Sequence, residues 1–251
     1  MKKWSSDVVD LLQSIYDLID TQGSSNILDI GCGDGYDLWQ ISKLSPSNCR
    51  FWGIDSSSKS IQTAQAAGVF DGRFDFSVKD VSLGLPFDDG AFDLIFSKNV
   101  LELISDKSAL LKEMHRVLKP NGQIIFAHYD WDSQTIDGDD KDFIREMVRA
   151  YGDWQQPWMP TNDAWMGRRL WATFNGSQLF DGQMHTYVLT NTEFASPFYG
   201  YQRIQDFRRM ATKDLLDSEK FERFYQDMEM RSKQGRFFYS ITMYIYTGRI
   251  R

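Results

Sequence analysis

The apolar positions of this chain change period several times, and each change marks an element. Val8, Leu11, Leu12, Ile15, Leu18 and Ile19 recur at helical spacing and predict an amphipathic helix over residues 6–20, with Ser5 or Ser6 as its cap. A short apolar run follows, Ile27, Leu28 and Ile30, interrupted by Asp29; it reads as a strand. Helical spacing returns with Leu38, Ile41 and Leu44, and strand-like runs recur at Arg50–Asp55, Phe74–Val78, Ala91–Ser97 and Ile124–Ala127. Between them, Ser57–Ala67 and Lys107–Leu118 read as helices. Gly68 ends the first, and Pro120-Asn-Gly122 stops the second. Strands that alternate with helices imply right-handed crossovers and a parallel sheet covered on both faces.

Beyond residue 130 the pattern loosens. Helices are expected over 139–152 and 164–175, a Pro-, Trp- and Gln-rich loop over 153–163, and a strand over Met184–Asn191. Residues 200–232 read as helical with a break near Asp217-Ser218, and Phe237–Tyr246 as a final strand. A late strand, a helical excursion and a last strand suggest a closing antiparallel pair. The aromatic last strand is open to burial by the chain's own helices or by a second copy in a homodimer.

The stretch between the first strand and its helix carries the chemistry. Asn26-Ile-Leu-Asp-Ile-Gly-Cys-Gly-Asp-Gly35 places glycines at 31, 33 and 35 before a helix start, where free N–H groups meet a partial positive charge. Twenty residues past Gly35, the second strand ends in Asp55, a carboxylate placed to accept ribose hydroxyls. The third glycine comes one residue too early for the dinucleotide fingerprint.

Leu28-Asp-Ile-Gly-Cys-Gly-Asp-Gly35 resembles the first motif of class I S-adenosylmethionine-dependent methyltransferases. The resemblance continues in order through Gly53-Ile-Asp55-Ser-Ser, Val78-Lys-Asp80-Val81, Phe92–Leu103, and Leu111–Gly122 with Gln123–Ala127. It covers roughly residues 24 to 130 and is similar to the ubiquinone/menaquinone-biosynthesis group. It implies a doubly wound, mostly parallel seven-stranded α/β sheet, with a helical lid inserted after strand 5 and between strands 6 and 7. The implied organisation is a single domain, 1–251: an N-terminal helix over 1–22, a cofactor-binding core over 24–130, and lid segments over 131–180 and 194–232.

The implied cofactor is S-adenosylmethionine, with S-adenosylhomocysteine as product. By resemblance its methionine part lies over Gly31, Cys32, Gly33 and Gly35. Asp29 orders the loop or approaches the amino group, Asp55 holds the ribose, and Asp80 accepts from the adenine amino group between Val81 and Ser56. Ser97 supplies a backbone contact. The Tyr36 ring suits a place near the sulfonium by cation–π attraction, with ordinary helix-start packing as its alternative. His128, directly after the fifth strand, is the candidate base; its alternative is a hydrogen-bonded strand-end residue. Tyr16, Tyr129, Trp131, Trp165 and Arg168 are the candidate acceptor contacts. An arginine beside aromatics suits a carboxylate- or phosphate-bearing substrate; the alternative is a lid with arginines on its rim. The expected reaction is methyl transfer to an O or N atom of a small metabolite, without a metal. A nicotinamide-dependent oxidoreductase and a non-catalytic, cofactor-binding partner subunit are the rival readings.

Composition narrows the partners. A net charge of −7 argues against a nucleic-acid substrate. Two cysteines, Cys32 and Cys49, make neither a disulfide framework nor a metal site. No apolar run approaches a membrane span and no signal-peptide core opens the chain, so no membrane association and a cytoplasmic location are expected. Aromatic residues make up 15% of the chain, with many of the eight Trp falling outside the motifs, which suggests an aromatic-lined cleft.

Overall fold

A computed structural model describes residues 4–21 and 23–251. Residues 1–3 and 22, which belong to the expected leading segment, lie outside the described residues. The leading helix α1 (Ser6–Tyr16) buries Val8, Leu11, Leu12, Ile15 and Tyr16. It stops earlier than the periodicity suggests. Leu18 N and Ile19 N bond back to Ile15 and Tyr16 in tight i→i−3 turns, so Leu18 and Ile19 keep their apolar contacts outside the helix.

The next elements follow the sequence closely up to the fifth strand: β1 (Asn26–Ile30), α2 (Tyr36–Leu44), β2 (Arg50–Asp55), α3 (Ser58–Ala66), β3 (Phe74–Val78), β4 (Phe92–Lys98), α4 (Lys107–Val117) and β5 (Leu118–Tyr129), which begins six residues before the expected Ile124 and takes in Pro120-Asn-Gly122. Their strands pair in parallel as β3-β2-β1-β4-β5. A chain that must return to the same end of the sheet after each strand needs a crossover, and the helices supply it. Polar side chains set the helix starts: Ser57 accepts from Ser60 N at 3.2 Å and Asp106 from Ala109 N at 2.9 Å.

The second half contributes β6 (Thr135–Ile136), α5 (Lys141–Asp153), α6 (Met166–Ser177), β7 (Phe180–Asn191), α7 (Tyr199–Ala211), α8 (Ser218–Lys233) and β8 (Tyr239–Ile250). β8 runs antiparallel to β5 and the two-residue β6 on one edge and to β7 on the other. The sheet therefore has eight strands, the expected seven plus β6. β7 begins four residues before the apolar pattern does, because Phe180–Gln183 is held by backbone pairing to Ile250–Thr247, which side-chain hydropathy does not report. β8 is buried within its own chain: Tyr239, Ile241, Met243, Ile245 and Tyr246 are at most 1% exposed.

Two apolar layers sandwich the sheet. One combines α1, α2 and α3 with α5, α7 and α8; the other is built by α4 and α6. Each fully buried Leu, Ile or Phe in them contributes about 1.5–3 kcal/mol. The expected lid segment 131–180 thus divides. α6 packs beneath the sheet, with Phe174 stacked on Tyr246 at 4.4 Å, while α5 and the loop that follows it stand on the opposite layer. No described helix is long and apolar enough to cross a membrane.

Candidate active site

The glycine loop folds back over the sheet because two strands hold it. Gly31 N and Cys32 N both donate to Ile54 O, at 2.8 and 3.0 Å, and Gly33 N donates to Asp55 Oδ2 at 3.0 Å. Gly31 has φ +77°, and a Cβ there would lie 2.2 Å from Val100 Cγ2, so both backbone conformation and close packing require glycine. Gly33, at φ +56°, would meet nothing within 4 Å: its α-carbon faces open space. Gly35 is the N-cap of α2.

Above the carboxyl ends of the parallel strands lies a cleft of about 460 Å3. Gly31, Asp55, Ser56, Asp80 and Val81 line it, as do Lys98 and Asn99 at the end of β4. Asp55 is positioned by the backbone it serves, since its Oδ1 accepts from Ser57 N at 2.8 Å while Oδ2 holds Gly33. Each oxygen retains a lone pair for a ligand hydroxyl. Asp80 accepts from both Ser82 Oγ and Ser82 N, which hold its carboxyl below the usual carboxylate range.

Other sequence candidates lie behind this lining. Cys32 is buried, and burial with nearby carboxylates pushes its thiol well up, so it stays protonated and fills space. Ser97 is fully buried and donates to Ile30 O at 2.8 Å, tying β4 to β1. Tyr36 packs against Trp4 and Trp39. Tyr16 is 4% exposed and donates to Asp37 Oδ1 at 2.5 Å, so it braces α1 against α2 beside the cleft.

Under the loop, the acids outnumber their cation. Lys98 Nζ lies 2.8 Å from Asp37 Oδ2, whereas buried Asp29 has an Oδ2 with no hydrogen-bond partner. Burial, then the neighbouring Asp37, push the Asp29 carboxyl well up; Lys98 opposes them.

A second cavity, of about 370 Å3, adjoins the first. Trp158 lines both. Trp131, Tyr151 and Trp154 supply aromatic wall, and Glu102 supplies a carboxyl. Glu102 belongs to the single 3-10 turn Leu101–Leu103 that follows β4, whose Leu103 faces the cofactor-side cleft. Its Oε2 accepts from Trp131 Nε1 at 2.8 Å, and burial pushes its pKa up to about 7. Sequence inspection passed over Glu102. Its signal was an acid inside the apolar run Val100-Leu-Glu-Leu-Ile104 directly after a strand.

The structure does not bring His128, Tyr129, Trp165 or Arg168 into either cavity lining. His128 is fully buried, its Nε2 accepts from Leu101 N at 3.2 Å, and burial lowers its pKa to about 3. It is the hydrogen-bonded strand-end residue that the sequence offered as the alternative, and it supports the turn that carries Glu102. Tyr129 stacks between Trp131 and Tyr199. Arg168 forks onto fully buried Asp130, with Nη2 2.5 Å from Oδ1, and Trp165 donates to Asp132 at 2.5 Å. Arg169 pairs with Asp163 at 2.7 Å. Arg168, the arginine expected to meet an anionic substrate, is therefore paired here with an acid of the chain itself. Among the described residues, no group of three His, Cys, Asp or Glu is placed to hold a metal ion.

The family model described as "Methyltransferase domain" matches residues 22–176, more than half of the chain. Ajmaline N-methyltransferase of Rauvolfia serpentina is 32% identical over 137 residues, covering 53% of this chain and 46% of that protein. Demethylmenaquinone methyltransferase of Thermotoga maritima is 27% identical over 190 residues, covering 76% and 68%. The chain spans less than half the length of the Rauvolfia protein. The fold is shared with Haemonchus contortus phosphoethanolamine N-methyltransferase 2 in complex with S-adenosyl-L-methionine (TM-score 0.58, 14% identity, 96% of this chain and 52% of that one). These matches displace the nicotinamide-dependent oxidoreductase reading, in keeping with the early third glycine. With the ordered motifs, the glycine loop tied to Asp55 and the family match on the same residues, this chain belongs to the class I S-adenosylmethionine-dependent methyltransferases.

Proposed function

We propose that this protein transfers a methyl group from S-adenosylmethionine to an O or N atom of a small molecule. The observation that carries the reading is the pair of adjoining cavities that share Trp158, one lined by Gly31 and Asp55, the other by aromatics and Glu102. The residues of the first fit the cofactor. The unpartnered Asp29 oxygen under the loop suits a ligand ammonium group, and Gly33 leaves open space above the backbone. Asp55 would hold the ribose hydroxyls, and Asp80 the adenine amino group, with Val81 and Ser56 beside the ring. Bound there, the cofactor supplies an already activated, electrophilic methyl group.

The chain's own contribution is alignment, exclusion of water and custody of a proton. Trp158 stands at the junction of the cavities and Trp131 fixes the Glu102 carboxyl. With its pKa pushed up to about 7 by burial, Glu102 is suited to accept the proton that an O–H or N–H acceptor sheds. His128, neutral and bonded to Leu101 N, holds the turn in place.

Calorimetric titration with S-adenosylhomocysteine and NAD tests the reading. Micromolar binding of the sulfur nucleoside, weakened by Asp55→Ala, supports it; binding of NAD alone overturns it.

A further inference from the structure

The lining of the aromatic cavity carries both an acid and cations. Glu102 stands on the turn that also carries Leu103 of the first cleft. Arg209 and Lys213, on and just beyond the last turn of α7, line the same cavity. Asp206 lines it too, 3% exposed, and is paired to both Arg209 and Arg203; the Arg203 contact is 2.6 Å. One carboxylate therefore faces two guanidinium groups. Arg203 is additionally bonded to the Tyr151 hydroxyl, behind the cavity wall.

Lys213 adds a third cation. Its Nζ lies 5.2 Å from the centre of the Trp154 ring, and it has no acidic partner among the described residues. Arg203, Arg209 and Lys213 outnumber Asp206 and Glu102, so this part of the wall carries a surplus of positive charge in a protein whose net charge is −7. Beside Trp154 and Trp158, such a surplus selects a flat or apolar body with an anionic group.

We propose that the acceptor is an organic anion, a carboxylate or phosphate ester with an aromatic or apolar body, held by Lys213 and Arg209 at one end. Its hydroxyl or amino group is thereby directed to the Glu102 end. The inference rests on the methyl-transfer reading for which end reacts, whereas anion selectivity is measured without turnover.

The test uses three probes of similar size that differ in charge: 4-hydroxyphenylacetate, its isosteric amide 4-hydroxyphenylacetamide, and tyramine. Each is titrated calorimetrically into the full chain saturated with S-adenosylhomocysteine. The anion is expected to bind at least tenfold more tightly than the amide or the amine, and its affinity to fall with added salt. Lys213→Met, at an exposed position, is expected to lower anion affinity at least tenfold and leave S-adenosylhomocysteine affinity unchanged. Equal binding of anion and amide, preference for tyramine, no detectable binding of the anion, or unchanged anion affinity in Lys213→Met overturns the proposal. Loss of nucleoside binding is read separately, in the first titration, and bears on the methyl-transfer reading; the probe comparison is then made on the ligand-free protein.

Discussion

Trp131 Nε1 donates to Glu102 Oε2 across 2.8 Å, joining the residue just after β5 to the turn just after β4. The bond favours the ionised carboxyl, and burial opposes it more strongly, so the balance leaves Glu102 near pH 7. The pair is both a wall of the cavity and a store of pH-dependent stability.

The sign of that dependence follows from proton counts. Glu102 titrates near 7 in the folded protein and near 4.5 when unfolded, so between these values the folded state binds more protons. Its contribution falls as pH rises from about 4.5 to 7 and is constant above. Glu102→Gln keeps a carbonyl oxygen for Trp131 and removes the buried charge. It is expected to raise stability at pH 8 by roughly 3 kcal/mol and to leave pH 4 stability nearly unchanged. Urea melts at the two pH values check this; an equal shift at both would refute it.

Asp55 holds the glycine loop and lines the first cleft. Asp55→Ala removes the acceptor for Gly33 N and, on the proposed reading, for the ribose hydroxyls. S-adenosylhomocysteine affinity is expected to fall by about 2–3 kcal/mol, roughly 30- to 150-fold. Calorimetry reads the loss, and circular dichroism checks that the sheet is intact.

Gly31→Ala meets two obstacles, a positive φ and Val100 Cγ2 at 2.2 Å. Destabilisation of roughly 2–4 kcal/mol is expected. Adding Val100→Ala should recover only the steric part, leaving the conformational cost visible in a thermal melt.

Arg168 is a structural partner of buried Asp130 in this geometry. Arg168→Ala leaves a buried carboxylate without its cation and should cost roughly 2–4 kcal/mol, less than a fully buried pair because Arg168 is partly exposed. Asp130→Asn in the same chain should restore much of it. Binding of 4-hydroxyphenylacetate to the folded variant should be unchanged; a tenfold loss would return Arg168 to the acceptor site.

Legibility of the sequence depended on the range of the interaction. The parallel core was readable because burial on both faces writes continuous apolar runs, and Asp55 ends such a run in a fixed relation to the glycines. Ser97 was readable as a strand end, while its side chain turned out to be spent on Ile30 O. Arg168 and Trp165 looked like a recognition patch because they neighbour each other along the chain; Asp130 and Asp132, more than thirty residues away, occupy them.

By itself, the sequence determined the order of strands and helices, the glycine turn and the acid that ends the second strand, because backbone conformation, helix capping and hydrophobic period are local properties written in consecutive residues. Only the tertiary structure decided which polar side chains are free. His128 and Glu102 are separated by 26 positions, and one ends fully buried against a backbone N–H while the other lines a cavity. Lys213 and Glu102 come to share that cavity from 111 positions apart. Desolvation and ion pairing depend on neighbours that the fold brings together, and the chemistry of the second cavity rests on those neighbours.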